Sequence, residues 1–430
     1  MAAASLDAGH GPAITVGIAL NTYAPHPMIA PPAAERARAP ALDAAVSTLE
    51  VPGLGLLSGM FVMSDGNCLV STTSLRDKYL ADTLQLLTPT GQLALIAGDE
   101  DEDRFFEDGK GANARFYCPN GMTVDAAGHI VVVDGGNHAV RRVSKAGEVS
   151  TLAGNGEAGF ADGQGEDARF NGPDGVALAA NDEIVVADTD NHAIRVVTPG
   201  GAVRTLAGNG EAGFAEGQGA AARFNCPAGL ARDKDGSILV ADQGNNAVRR
   251  VTMEGAVSTV AGNREAGYAD GEGAAARFNY PTSVVVDKEG TILVADYGNN
   301  MLRKIVGRQV TTLAGGSEAG TADGAGPGAR FTMPYRLALD ERGRLLVAEL
   351  CRADTLRVVD ASLVPPRSPQ TRPADLPVQP EQVETVWYLP LPRNANLPVS
   401  PIQHHLPSFP MQYRHVEATG DPPSRLLIVD

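Results

Sequence analysis

The sequence predicts an all-β chain: a six-bladed β-propeller of four-stranded antiparallel blades, its ring closed by an N-terminal strand. Three observations carry this prediction. One phrase recurs, as EAGFADGQGEDARFNGPDG at 157–175, EAGFAEGQGAAARFNCPAG at 211–229 and EAGYADGEGAAARFNYPTS at 265–283. A marker proline falls at Pro119, Pro173, Pro227, Pro281 and Pro334, a period of 54 residues with 53 in the final interval. A fixed period of this size marks units that cannot bury their own apolar face and must stack on neighbours. Each unit also holds four short apolar runs between turn residues, and four antiparallel strands in about 40–50 residues make one propeller blade.

The elements can be justified in order. In one unit the runs are Gly175–Leu178, Ile184–Asp188, Ala193–Val197 and Val203–Ala207. Short Val-, Ile- and Leu-rich runs bounded by Gly, Asn, Asp and Pro read as strands. No stretch of the repeats shows a 3.6-residue apolar period, so helix is not expected. A worn copy precedes the clear ones. Gly59 and Met60 match Gly121 and Met122, and Cys68–Thr72, Leu84–Leu87 and Leu93–Gly98 supply its other strands. The last copy ends at Asp360 after its third strand. Its fourth is expected from Ala45–Leu49, which matches Glu148–Leu152 and Ala256–Val260. A strand placed there removes the open edge of the ring. The propeller thus spans 44–360. The Ala/Pro-rich residues 1–43, and residues 361–430 with 14 of the 29 prolines, are expected to be extended tails. Arg425–Asp430 reads as the start of a strand.

Val186–Arg195, VADTDNHAIR, resembles the signature of NHL repeats, with Ala where the family's name has Leu; Val240–Arg249 and Val294–Arg303 match with Asn in the His position. The resemblance covers about residues 44–360 and implies the propeller fold. It also implies several functions, since NHL propellers serve as protein-binding or RNA-binding modules and relatives act as lyases or lactonases. Fold therefore does not choose the function. Some similar algal proteins join an NHL propeller to a BTB domain, which implies a ubiquitin-ligase substrate adaptor. No BTB sequence is present here.

The net charge of −16 argues against nucleic acid, whose binders carry a basic patch. No apolar run reaches 18 residues, so no membrane span is expected. Ala13–Leu20 is short and has no Lys or Arg before it, unlike a signal peptide. The cysteines are scattered at 68, 118, 226 and 351, and Cys118 and Cys226 hold one repeat position two blades apart. Reduced thiols and a cytoplasmic location are expected.

Candidate chemistry is mostly scaffold. Gly154–Gly159 and Gly208–Gly213 fit GxGxxG, but no helix follows to receive a pyrophosphate. Gly324–Gly328 lacks the lysine of a P-loop. His138 and His192 share a turn position with Asn246 and Asn300, so a backbone-bonding role is expected rather than a metal. Asp134, Asp188, Asp242 and Asp296 precede Arg141, Arg195, Arg249 and Arg303 by seven residues, and Glu349 precedes Arg357 by eight. Such spacing across a short hairpin predicts a repeated carboxylate–guanidinium pair. The worn copy carries Thr72 and Gln85 instead, losing both partners together. Arg115, Arg169, Arg223, Arg277 and Arg330 each precede a Phe expected to wedge between blades.

The copies disagree where the inner strand begins, at Asn120, Asp174, Ala228, Thr282 and Tyr335, and in the turn after the repeated acid, at Gly135, Thr189, Gln243, Tyr297 and Leu350. Positions free of scaffold duty on one face of a rigid ring are where a ligand would be read. The expected binding residues are Asn120, Asp174, Asp190, Gln243, Tyr297 and Tyr335. The five interblade loops carry 18 acids against 8 bases and are expected on the same face. The reading is a non-catalytic, monomeric interaction scaffold without metal or cofactor, presenting an acidic face to a protein or peptide with a basic segment. The alternatives are a metal-dependent propeller hydrolase or lyase, and an RNA-binding propeller.

Overall fold

A computed structural model describes residues 44–73, 82–99, 106–350 and 352–360. Within these residues lie six antiparallel sheets whose first strands touch in a closed ring. The inner strands are Leu57–Val62, Pro119–Val124, Val176–Leu178, Pro227–Arg232, Pro281–Val286 and Pro334–Leu339, and they number blades 1 to 6. In blade 3 the second, third and outer strands are Ile184–Asp188, Ala193–Val197 and Ala202–Ala207. Helical structure here is limited to three-residue 3-10 turns, such as Thr189–Asn191. The glycine-rich segments at 154–159 and 208–213 lead into no helix. The tails 1–43 and 361–430, and Cys351, lie outside the described residues.

The ring closes as the repeat count requires. Ala45–Glu50 pairs in full antiparallel register with Thr355–Asp360, from Ala45 opposite Asp360 to Glu50 opposite Thr355. Blade 6 therefore joins the two ends of the propeller. A chain beginning at Val51 lacks its outer strand, and should melt lower or aggregate relative to one beginning at Ala41. Equal melting temperatures by calorimetry would contradict this role.

Blades 2 to 6 each have a fifth, two-residue strand, which the four-stranded expectation missed. Gly163–Gln164 pairs with Ala202 and Val203, at the start of the outer strand, and each long loop supplies an equivalent pair. The middle of each loop thus runs along the blade's outer rim, away from the channel mouth, instead of standing wholly on the mouth face. The physical reason is the open edge: unpaired N–H and C=O groups of an outer strand need partners.

Each long loop is fixed by one buried arginine. Arg195 is fully buried and donates to Asp188 at 2.6 Å, to Asp162 at 2.7 Å, and to the carbonyls of Arg169 at 3.0 Å and Ala161 at 2.8 Å. Its guanidinium also lies over Phe160 and Phe170, at 4.9 and 5.2 Å. Asp188 stands opposite Ala193 and Arg195 opposite Val186, so the pair is diagonal across the hairpin, on one face. Asp188 also accepts the Asn171 amide N–H and the Asn191 side-chain amide. Burial pushes the carboxyls of Asp134, Asp188 and Asp242 up to about 6, against the pull of their arginines. The same pair recurs at Asp134–Arg141, Asp242–Arg249, Asp296–Arg303 and Glu349–Arg357. In blade 1 the expected substitutes form a neutral network: Thr72 and Gln85 both bond Thr83.

The wedge phenylalanines behave as expected. Phe170, Phe224, Phe278 and Phe331 are fully buried between successive blades, each contributing about 1.5–3 kcal/mol by burial. Their preceding arginines cap loop carbonyls, as Arg223 does to Ala220 at 2.6 Å. Because Arg195 and Asp188 are both buried, Asp188→Ala or Arg195→Ala should each cost about 3–5 kcal/mol. The double variant should cost much less than the sum, because neither charge is then left alone. Additive losses in denaturant unfolding would sink the pairing.

Candidate functional site

The mouth of the channel is built from the turns after the second strands and from the first residues of the inner strands. Each 3-10 turn ends on a residue in the left-handed region: His138, His192, Asn246 and Asn300, with φ of 50° to 55°. Each of these side chains accepts a backbone N–H from the next blade, at the residue just before its marker proline. Nδ1 of His138 accepts from Gly172 at 3.0 Å, and Nδ1 of His192 from Cys226 at 3.1 Å. Oδ1 of Asn246 accepts from Tyr280, and Oδ1 of Asn300 from Met333, both at 2.9 Å. This explains why His alternates with Asn: both tolerate positive φ and both present an acceptor. It also fixes the imidazole proton on Nε2, leaving no lone pair on either ring nitrogen for a metal.

Burial lowers the pKa of His138 and His192, with Asp190 opposing. An imidazole in the unfolded chain takes up its proton near about pH 6.5. In the folded chain it does so only at lower pH. The unfolded state therefore binds more protons between those values, and stability falls as pH drops through that window. Replacing both histidines by Asn, the residue of blades 4 and 5, should leave the melting temperature above pH 7 nearly unchanged. It should also remove part of the loss between about pH 6.5 and 5. Parallel melting-temperature curves for the two proteins would refute this.

At the inner ring the structure departs from the sequence reading. Asp174 is buried and forms a bidentate pair with Arg336: Nη1 donates to Oδ2 at 3.1 Å, and Nη2 donates to Oδ1. The partners lie 162 residues apart, three repeats, and so on opposite blades, 3 and 6. Nε of Arg336 donates to the Ser58 carbonyl of blade 1 at 2.6 Å. The pair bolts the ring across its mouth, so Asp174 is a structural tie and not the open ligand-reading acid expected. Its backbone carbonyl is taken as well, by the Gly121 amide at 2.9 Å.

Arg336 escaped the sequence reading, yet a signal existed one position further on. The second residue after the marker proline is Gly121, Gly175, Gly229, Ser283 and then Arg336. Glycine is needed where the inner strands crowd: a Cβ on Gly121 would meet the Asp174 carbonyl oxygen at 2.7 Å. One large charged residue in a column of small ones marks a changed use.

The structure brings Tyr335 and Tyr297 together beside the bolt. Their rings meet edge to face, with centroids 6.4 Å apart. The Arg336 guanidinium lies 4.1 Å from the Tyr335 ring centre and donates to its hydroxyl at 3.0 Å. The Tyr297 hydroxyl reaches the sulfur of Met333 at 3.3 Å. Both tyrosines are half-buried. Asp190 is exposed in the turn of blade 3, where partial burial and the Asp174 carboxylate raise its pKa, against His192 and His138. Asn120 and Gln243 are half-buried elsewhere on the ring, in blade 2 and in the turn of blade 4. Glu157, Glu211, Glu265 and Glu318 are exposed. The first three lie two residues before Gly159, Gly213 and Gly267, whose carbonyls accept from Asn191, Asn245 and Asn299 of the mouth turns. That keeps an acidic fringe on this face although the loop middles do not lie there. Among the described residues no three His, Cys, Asp or Glu side chains are grouped as a metal ion requires.

Below the bolt the inner strands line a cavity of about 360 Å³, with Met60, Met122, Leu230 and Val284 in its wall. Cys68, Cys118 and Cys226 are not joined to one another by disulfides, and burial pushes the Cys68 thiol up to about 12.

The NHL-repeat model matches residues 116–142, 170–197, 224–250 and 278–305. Each match starts beside or at the wedge Phe and runs through the turn to the buried Arg. The chain carries NHL repeats in a six-bladed β-propeller. It is 31% identical over 264 residues to Protein SUPPRESSOR OF QUENCHING 1, chloroplastic, of Arabidopsis thaliana, covering 57% of this chain and 25% of that protein. It is 26% identical over 373 residues to NHL repeat-containing protein 2 of Gallus gallus, covering 63% of this chain and 51% of the relative. The NHL-repeat propeller thus spans about half or less of the length of these relatives. Among solved structures, a structural genomics protein of unknown function from Bacteroides thetaiotaomicron superposes with a TM-score of 0.55 at 17% identity. The match covers 74% of this chain and 76% of that one, a likeness of fold.

Proposed function

We propose that this propeller is a non-catalytic interaction module that docks a protein or peptide with a basic segment across its mouth face. The observation that carries the reading is the Asp174–Arg336 bolt. It engages the acid best placed for a metal or a general base, and it crosses the mouth from blade 3 to blade 6, so a partner meets tied side chains there. Beside the bolt, Tyr297 and Tyr335 offer rigid aromatic area with polar tips, the usual content of a binding hot spot. Asp190, Glu157 and Glu318 give the face negative charge, Glu211 and Glu265 being paired with Arg223 and Arg277, and such charge speeds encounter with basic partners and repels phosphate backbones.

Peptides selected on the full chain from an unbiased display library should be enriched in Lys and Arg. Tyr297→Ala with Tyr335→Ala should weaken the best of them at least about tenfold, a loss of roughly 1.4 kcal/mol or more. The on-rate should fall as salt rises. Three outcomes would overturn the reading: selected peptides indifferent to the tyrosines, submicromolar RNA binding at physiological salt, or lactone or ester turnover abolished by Asp174→Asn.

A further inference from the structure

The channel behind the mouth has a chemistry of its own. All six inner strands contribute to its wall, from the level of Arg336 beside the mouth to the level of Arg232, where the strands end on the opposite face. At mid-depth the wall is apolar, with Met60, Met122, Leu230 and Val284. Its polar groups near the mouth are already engaged. Arg336 is held by Asp174, Tyr335 and the Ser58 carbonyl, and the Ser283 hydroxyl accepts the Leu337 amide at 3.2 Å.

The far end differs. Five residues after the marker proline the inner strands carry Val124, Leu178, Arg232, Val286 and Leu339, and blade 1 carries Val62 at the matching place. One cation thus stands in a ring of apolar residues, as Arg336 stands in a column of small ones. Arg232 is exposed. The acids that follow it in the chain, Asp233 and Asp235, both turn to Arg250. Among the described residues no carboxylate pairs with Arg232.

We propose that this channel binds a free medium-chain carboxylate, its chain lying between the inner strands and its carboxylate on Arg232. The site lies apart from the mouth face and does not depend on the docking reading. Small-molecule sites are concave and mostly apolar, with a few polar groups that fix orientation. Here Arg232 is that group, since a guanidinium takes a carboxylate through two parallel hydrogen bonds. A cavity of about 360 Å³ has room for about twelve methylene-sized groups at about 30 Å³ each. The thioether chains of Met60 and Met122 adapt readily to the shape of such a guest.

Isothermal titration of the full chain with decanoate, kept below its micelle concentration, tests this. Binding should be saturable. Arg232→Met, at an exposed position, should keep the melting temperature and weaken decanoate at least about tenfold, while decan-1-ol binds both proteins alike. A decanoate analogue with a diazirine at its methyl end should label the inner strands at 60–62, 122–123 or 284–286 on irradiation, and excess decanoate should block the labelling. No saturable binding, equal affinity of Arg232→Met for decanoate, or label confined to the mouth or the outer strands would each overturn the proposal. So would capture of the protein by anionic phospholipid vesicles that decanoate does not release, which would make a bilayer the ligand.

Discussion

The buried guanidinium of each complete blade is the interaction on which the rest depends. A positive charge with no water around it needs a full set of acceptors. Arg195 finds them in its own hairpin, at Asp188, and in the preceding loop, at Asp162, Ala161 and Arg169. One side chain therefore fixes a hairpin, folds a long polar loop onto the rim and clamps two aromatic rings in the blade junction. The planar fork matters, because a lysine ammonium could not hold two carboxylates in these directions while lying flat on the rings. Blade 1 shows the converse. Without the arginine, and among the described residues, it has a six-residue incoming connection, four strands and Leu54 in place of the aromatic wedge.

The same rigidity shapes the mouth. Histidines and asparagines in left-handed turns bond blades 2 to 6 in succession at the rim of the channel. The Asp174–Arg336 pair then ties opposite blades through the centre. A face held in this way cannot adapt much, so the partner binding proposed for it rests on fixed features such as the tyrosine pair. Preorganisation of this kind lowers the entropic cost of binding.

Much of this was legible in the residues. The strand boundaries Ile184–Asp188, Ala193–Val197, Cys68–Thr72 and Leu84–Leu87 follow from apolar runs and turn residues, and coincide with the structure. The acid–Arg spacing of seven announces a hairpin pair because both ends belong to one local element. The fifth strand was not legible: two residues such as Gly163–Gln164 carry no strand signal and pair only because an outer edge lies beside them. The rim course of the loops, which takes Asp162 and Asp270 to the outer strand, was hidden for the same reason. Asp174 was legible as a special position but not in its role, since its partner stands three repeats away.

The sequence by itself determined the blade count, the strand order, the scaffold pairs and the closure by Ala45–Glu50. All of these rest on local pattern repeated at a fixed period, and repetition turns a weak signal into a strong one. Tertiary structure alone decided what the unrepeated residues do. Asp174 became a tie and Tyr335 a ledge because closing the ring sets blade 3 opposite blade 6. Contacts between positions that occur once in the chain leave no periodic trace, so only the closed ring shows which of them meet.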